Sequence, residues 1–251
     1  MRRFLERWSK DVVLKRRLPS RFGRRELFVN PGSALRYWRF NLQKTEPALL
    51  QVAEKYVRPG NVVWDIGANV GLFSVACAAL AGRQGRVLAV EPDLFCAQLI
   101  AKTSELESNA DLKLDVLPAA VADSLKIENF NVAARGRSAS YLAGSLRGTQ
   151  TGEVLFQKKV LTLTLDWLMD HYDLPDLMKL DVEGSEVKVL KGGTRFFARK
   201  RPILFCEVYS ENQAEITQFL KEHRYKISDA NAKIGRSLGQ APWSTLAIPA
   251  Y

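Results

Sequence analysis

The chain is poor in the residues that build disulfide frameworks and zinc sites. Its three cysteines, Cys77, Cys96 and Cys206, are too few for a disulfide scaffold and odd in number. Each lies in an apolar stretch, as buried free thiols in a reducing cytoplasm would. The two histidines, His171 and His223, are too isolated to suggest a zinc centre. No apolar run reaches the roughly 20 residues needed to span a bilayer. The N-terminus carries charge but lacks the apolar segment that follows it in a secretion signal. No aromatic-and-basic recognition module or Asn-Pro-Pro-aromatic base-methylation motif occurs, so no nucleic-acid partner is expected. The expected location is therefore cytoplasmic.

At 251 residues, 47% of them hydrophobic, the chain can bury one substantial α/β core. Its net charge of +10 is unevenly placed: residues 1–40 hold twelve Lys/Arg against three acids, and the rest is nearly neutral. This separates a basic N-terminal helical arm, 1–44, from a catalytic body, 45–251. In the arm, Phe4, Leu5, Trp8, Val12 and Val13 recur at helical spacing among Arg3, Arg7 and Lys10. Such a helix can pack on the domain edge with a solvated basic face, or lie on the inner face of an anionic membrane. Arg16-Arg17 and Arg24-Arg25 could instead bind an acidic substrate.

The body is organised around Val62–Phe73. An apolar strand ends on Asp65, passes through the turn Gly67-Ala68-Asn69-Val70-Gly71, and enters an alanine-rich helix, 70–81. Gly67 permits a backbone angle that a Cβ resists, and Gly71 lets strand and helix sit close. Free N–H groups at the helix start would face a ligand beyond the strand. A dinucleotide site needs a second glycine where Asn69 stands, and Asp65 suits a sulfonium better than two phosphates. The run Asp-x-Gly-x-Asn-x-Gly resembles motif I of S-adenosylmethionine-dependent methyltransferases. The expected architecture is a doubly wound, Rossmann-like α/β sheet of seven mostly parallel strands.

The remaining elements follow in order. Thr45-Glu46-Pro47 starts a helix to about Tyr56, with Thr45 as cap; Glu46 could reach the cofactor, but a capping role is the stronger expectation. Strand 86–90 ends on Glu91-Pro92-Asp93, where an acid can accept hydrogen bonds from both ribose hydroxyls. After strand 112–117, the stretch Ala119-Ala120-Val121-Ala122-Asp123 is placed to line an adenine, with Asp123 toward its amine, although small residues here also suit ordinary packing. Residues 125–160 read as an inserted antiparallel β-hairpin with a loop over the pocket. There Arg135, Arg137, Ser138, Ser140 and Tyr141 are candidate substrate contacts. Leu177–Asp181 is an apolar strand whose end projects Asp181 and Glu183 on one face, and a helix begins at Ser185. A strand ending on Glu207, a helix at 211–223 and two closing strands complete the sheet.

Asp65–Gly71, Glu91-Pro92, Leu165-Asp166, Lys179-Leu-Asp-Val-Glu-Gly-Ser-Glu186 with Leu190-Lys-Gly192, and Pro202–Val208 together resemble the FkbM family of methyltransferases. The resemblance spans about Thr45 to Ile248. It implies a class I methyltransferase fold, S-adenosylmethionine as methyl donor, and O-methylation of a sugar, glycan or other natural-product hydroxyl. Asp65, Gly67, Ala68, Asn69, Gly71, Glu91, Asp93, Ala122 and Asp123 are then the expected cofactor contacts. Asp181 is the first choice of general base, Glu183 shares that work or holds the acceptor, and Lys179 orients an acid. Asp181 and Glu207 could instead hold Mg²⁺, which is not favoured because Glu207 has no obvious third acidic neighbour. The rivals are an NAD-dependent oxidoreductase and a non-catalytic, cofactor-binding or membrane-tethered protein. The oligomeric state is not legible.

Overall fold

Val62–Ile66 (β3), Arg86–Val90 (β4), Leu114–Leu117 (β5), Leu177–Leu180 (β10) and Ile203–Glu207 (β11) pair in parallel at the centre of the protein. In the central β3 and β10 the runs Val-Val-Trp-Asp-Ile and Leu-Met-Lys-Leu are covered on both faces. That is why they read as continuous rather than alternating. This computed structural model describes residues 9, 12–134, 136–145, 153–232 and 237–250.

The seven-stranded sheet has the order β12-β13-β11-β10-β3-β4-β5, where Tyr225–Asp229 (β12) and Ser244–Pro249 (β13) add the antiparallel edge. From β3 the chain steps outward to β5, then returns to β10 and continues the other way. The reversal lies between β3 and β10, and the crevice of such a sheet opens at the carboxyl ends of those strands.

Side chains of successive strand residues divide the core in two. Val63, Val87, Leu177 and Phe205 share one cluster with the helices Pro47–Tyr56, Leu72–Ala81 and Leu94–Ser104. Trp64, Leu88, Met178 and Leu204 share the other with Leu165–His171, Glu186–Lys191, Thr194–Arg199 and Gln213–Glu222. Trp64 stacks on Phe196 with ring centroids 5.2 Å apart and donates its indole N–H to the Asp173 carbonyl. Asp166 caps the helix Thr194–Arg199 from a distance, accepting from the N–H groups of Arg195 and Phe196 at 3.2 and 2.7 Å.

The described part of the N-terminal arm differs from the helical expectation. Phe4, Leu5 and Trp8 lie outside the described residues, and Val12 and Val13 are not helical. Leu14–Arg17 (β1) pairs antiparallel with Glu26–Val29 (β2), and only short 3-10 turns follow before residue 47. The reason is a period of two in β2: Leu27 and Val29 are buried while Glu26 and Phe28 are not. Leu18, Phe22, Leu27, Val29, Tyr37 and Leu42 join the first core cluster. Polar bonds fix the hairpin to its neighbours, from Phe28 N–H to Thr103 Oγ1 at 3.0 Å and from Asn109 Nδ2 to the Glu26 carbonyl at 2.8 Å.

Between β5 and β10 the chain builds a second sheet. Lys126–Ala133 (β7) runs antiparallel to Val154–Leu163 (β9), flanked by Ala120–Val121 (β6) and Tyr141–Leu142 (β8). The sheet packs where the helix Glu186–Lys191 ends: a Cβ on Gly192 would stand 2.2 Å from the Ala122 carbonyl oxygen. Substituting Gly192→Ala must push two backbones apart. It is expected to cost about 1–3 kcal/mol, read as a lower urea midpoint at unchanged slope.

Candidate active site

The crevice between β3 and β10 opens as a cleft lined from both strands, by Ile66, Gly67 and Asn69 on one side and Asp181, Val182 and Glu183 on the other. Its floor comes from the glycine turn. Gly67 has φ +79°, and a Cβ there would stand 1.9 Å from the Asp181 carbonyl oxygen. Gly71 caps the helix Leu72–Ala81 in the left-handed conformation. The close approach it permits is to the Ile100 side chain on the neighbouring helix, not to the strand. The helix accordingly begins at Leu72, two residues later than its sequence suggests. Asn69 also has positive φ, +52°, which Asn tolerates better than most residues.

Asp65 is not a cleft-lining group. Its carboxylate is fully buried behind the turn, where Oδ2 accepts from Ser74 Oγ at 2.5 Å and Oδ1 lies 3.1 Å from Lys179 Nζ. Lys179 stands opposite Asp65 in the β10–β3 register. Its ammonium donates to the Gly67 carbonyl at 2.7 Å and lies 3.4 Å from Asp181 Oδ2. Burial alone would lower its pKa. The carboxylates of Asp65 and Asp181 and the contact with Asp65 outweigh that and hold it above the ordinary lysine value.

On the β4 side, Glu91 lines the cleft. Its Oε2 accepts from Asn69 N–H and its Oε1 from Asp93 N–H, both at 2.7 Å. Burial pushes its pKa up to about 8 against those two hydrogen bonds. Asp93 turns away from the cleft to cap the helix Leu94–Ser104 through Phe95 N–H. There it also meets Arg137 at 3.0 Å and Lys158 at 3.3 Å. Ala119, Ala120 and Val121 form a small apolar wall of the cleft. Ala122 packs against Gly192, and Asp123 is occupied with Ser124 and Lys126. Neither Ala122 nor Asp123 lines the cleft, and nor does Ala68.

Phe130, Arg137, Ser138, Ser140 and Leu142 close the cleft from the second sheet. Arg137 and Ser138 also reach the N-terminal segment: their N–H groups donate to the Gly32 and Ser33 carbonyls at 3.1 and 3.2 Å. Of the other expected substrate contacts, Arg135 lies outside the described residues and Tyr141 does not line the cleft.

Asp181 and Glu183 line the cleft at the end of β10. Glu183 has φ +55° and accepts a hydrogen bond from the Tyr209 hydroxyl. Glu207, at the end of β11, has its pKa pushed up to about 9, first by the charge of Asp181 and then by burial. Glu46 joins this group. It pairs with Arg36 and makes no side-chain cap to the helix at Pro47, contrary to the capping role its position suggested. Burial, above all, raises its pKa. Thr45 likewise bonds backward to the Asn41 carbonyl rather than capping the helix. Glu186, the last acid of the Lys-x-Asp-x-Glu-Gly-x-Glu run, is fully buried and accepts from Gly184 N–H and Asn212 Nδ2, each at 2.9 Å. Among the described residues no three His, Cys, Asp or Glu side chains are grouped to hold a metal.

A Rossmann-like sheet with an acid on each side of its crevice defines a nucleotide-type cofactor site, and family comparison gives it a class. The chain belongs to the FkbM methyltransferase family, whose domain model matches residues 65–227; it is an S-adenosylmethionine-dependent methyltransferase. It is similar to a hexuronic acid methyltransferase of Haloferax volcanii, 22% identical over 79% of this chain and 77% of that protein. Among solved structures it is similar to an FkbM methyltransferase of Methylobacillus flagellatus, with TM-score 0.47, 17% identity, and coverage of 80% of this chain and 52% of that one. It is also similar to a precorrin-6y C5,15-methyltransferase of Geobacter metallireducens, with TM-score 0.48, 13% identity, and coverage of 83% and 89%.

Glu91 and Glu207 have folded-state pKa values above that of a free glutamate. The folded protein therefore holds protons that the unfolded chain releases between pH ~4.5 and the folded values of about 8 and 9. Their contribution is complete below ~4.5 and is lost as pH rises to 8–9. Stability to urea should therefore fall as pH rises from 5 to 8. Glu207→Gln should flatten that slope; a slope unchanged by the substitution would contradict the assignment.

Proposed function

We propose that the protein transfers the methyl group of S-adenosylmethionine to a hydroxyl oxygen of a sugar, glycan or related natural product. Asp181 serves as the proton acceptor. The observation that carries this reading is the placement of Asp181, which lines the cleft with its Oδ2 3.4 Å from Lys179 Nζ, while the Asp181 charge and burial favour the protonated form of nearby Glu207. An alcohol acceptor needs a base at the reacting oxygen, and a positioned carboxylate provides one.

The residues present fit the donor. Glu91 is fixed by two backbone N–H groups and keeps acceptor capacity for vicinal hydroxyls. Ala119, Ala120 and Val121 offer a small apolar wall for a base. The Gly67–Asn69 turn allows close approach without a Cβ at Gly67. The bound donor supplies an electrophilic methyl group on a sulfonium. Lys179 positions Asp181 and the turn together, and Glu183, held by Tyr209, orients the acceptor. Alignment of donor and acceptor accounts for most of the acceleration, up to ~7–11 kcal/mol. The name of the Haloferax volcanii relative, a hexuronic acid methyltransferase, supports a sugar acceptor. The nicotinamide alternative gains no support, because the Asn69 position that pyrophosphate would approach carries a side chain and its N–H is bonded to Glu91.

Acceptors are to be found by screening hydroxylated glycans with radiolabelled methyl donor. With such an acceptor, Asp181→Asn should lower kcat by about 10²–10⁴-fold, while calorimetric affinity for S-adenosylmethionine stays close to that of the parent. Unchanged turnover would remove Asp181 as the base. Activity should survive EDTA, since the proposal gives the proton to a carboxylate and not to a metal-bound oxygen.

A further inference from the structure

The entire net charge of the protein resides in one segment. Residues 1–44 carry thirteen Lys/Arg and three Asp/Glu, whereas the remaining chain carries twenty-four of each. The same segment holds two exposed aromatic side chains two residues apart, and one exposed valine. Phe40 is 86% exposed, Trp38 42% and Val13 43%. A single exposed apolar residue needs no explanation, but several together on a charged face mark an interaction site.

These side chains are held in place. Arg16 in β1 donates to the carbonyls of Arg39 and Trp38 at 3.2 and 3.3 Å, and its guanidinium lies over the Phe40 ring, 4.7 Å from the centroid. The Trp38 indole donates to Ser9 Oγ at 3.0 Å, and Tyr37, the residue before it, is buried in the core. The turn is therefore anchored from below while Phe40 projects outward. An indole with one polar contact and one exposed face is the side chain favoured at a lipid headgroup boundary.

We propose that this face docks the protein on an anionic phospholipid surface, with Phe40 and Trp38 entering the headgroup region and the basic segment meeting the lipid charge. The argument is charge complementarity together with the anchored aromatic turn. The sequence of residues 1–10 mixes Phe4, Leu5 and Trp8 with Arg3, Arg7 and Lys10, a composition that also suits a lipid boundary. A nucleic-acid groove would instead shelter its rings for base stacking, which a ring 86% exposed does not do. The docking face adjoins the acceptor side of the cleft through the Arg36–Glu46 pair. It does not depend on which acceptor is methylated.

The test is co-sedimentation of the full chain with vesicles of phosphatidylcholine alone, or of phosphatidylcholine with one third phosphatidylglycerol. The expected result is partition onto the anionic vesicles, weakening steeply with added salt, and little onto the neutral ones. Trp38→Ala with Phe40→Ala should lower partition by about tenfold, with the urea midpoint and S-adenosylmethionine affinity unchanged. Absence of binding to the anionic vesicles would overturn the proposal, as would a double variant that binds like the parent. Tighter binding to a homopolymeric RNA than to the anionic vesicles would overturn it in favour of nucleic acid.

Discussion

A lysine ammonium buried among carboxylates is the interaction on which the site depends. Lys179 is 3% exposed, and removing a charge from water costs several kcal/mol unless partners compensate. Its compensation comes from Asp65, Asp181 and the Gly67 carbonyl, three groups on two adjacent strands and the turn between strand and helix. The one cation thus sets the register at the carboxyl ends of β3 and β10. Gly67 completes the clamp, because the Asp181 carbonyl occupies the space a side chain would need. Without the lysine, Asp65 would be a fully buried carboxylate with only Ser74 and no cationic partner. The apolar runs on either side form the strands, but this polar contact aligns their ends.

The two ends of the cleft rely on different physics. At the β4 end, recognition is built mainly from backbone: N–H groups orient Glu91, and small residues form the wall. At the β11 end it is built from side chains that crowd like charges together, and Glu207 titrates high because Asp181 is close. Keeping such acids near one another lowers stability above neutral pH, a common cost of a preorganised site. The buried Glu186 shows the contrast. It too titrates high through burial, yet its carboxylate is engaged by Gly184 and Asn212 and it has no access to the cleft.

Much of this was legible in the residues. Apolar runs ending on acids located β3, β4, β10 and β11, and the spacing of Lys179, Asp181 and Glu183 identified the end of β10. What the pattern did not reveal was direction. Asp65 and Asp181 look alike as strand-ending acids, but only one faces the cleft, because Lys179 and Ser74 draw Asp65 inward. Asp93 is two residues from Glu91, yet helix capping and two cations from the second sheet turn it aside. The small-residue stretch from Ala119 to Asp123 reads as one wall, but only Ala119, Ala120 and Val121 line the cleft, because Ala122 packs against Gly192 and Asp123 pairs with Lys126. Glu46 looked like a cap because its partner, Arg36, lies in a 3-10 turn that periodicity does not mark. The β1–β2 hairpin was obscured by its basic residues, although the alternation of Leu27 and Val29 was there to be read.

The contacts around Asp93 explain how parts remote in sequence come to share one site. Arg137 donates to Asp93, lies over Phe95, and through its backbone N–H holds the Gly32 carbonyl; Lys158 reaches the same carboxylate. One buried acid on the parallel sheet thereby gathers the second sheet and the N-terminal segment over the cleft. Both gathered pieces lie outside the βαβ core that provides the glycine turn and Glu91. On the proposed reading, such an arrangement would separate two tasks, the core holding the methyl donor and the added segments shaping what can approach it. A change in the insert could then alter the acceptor while leaving the donor geometry intact, which is how one fold serves many substrates.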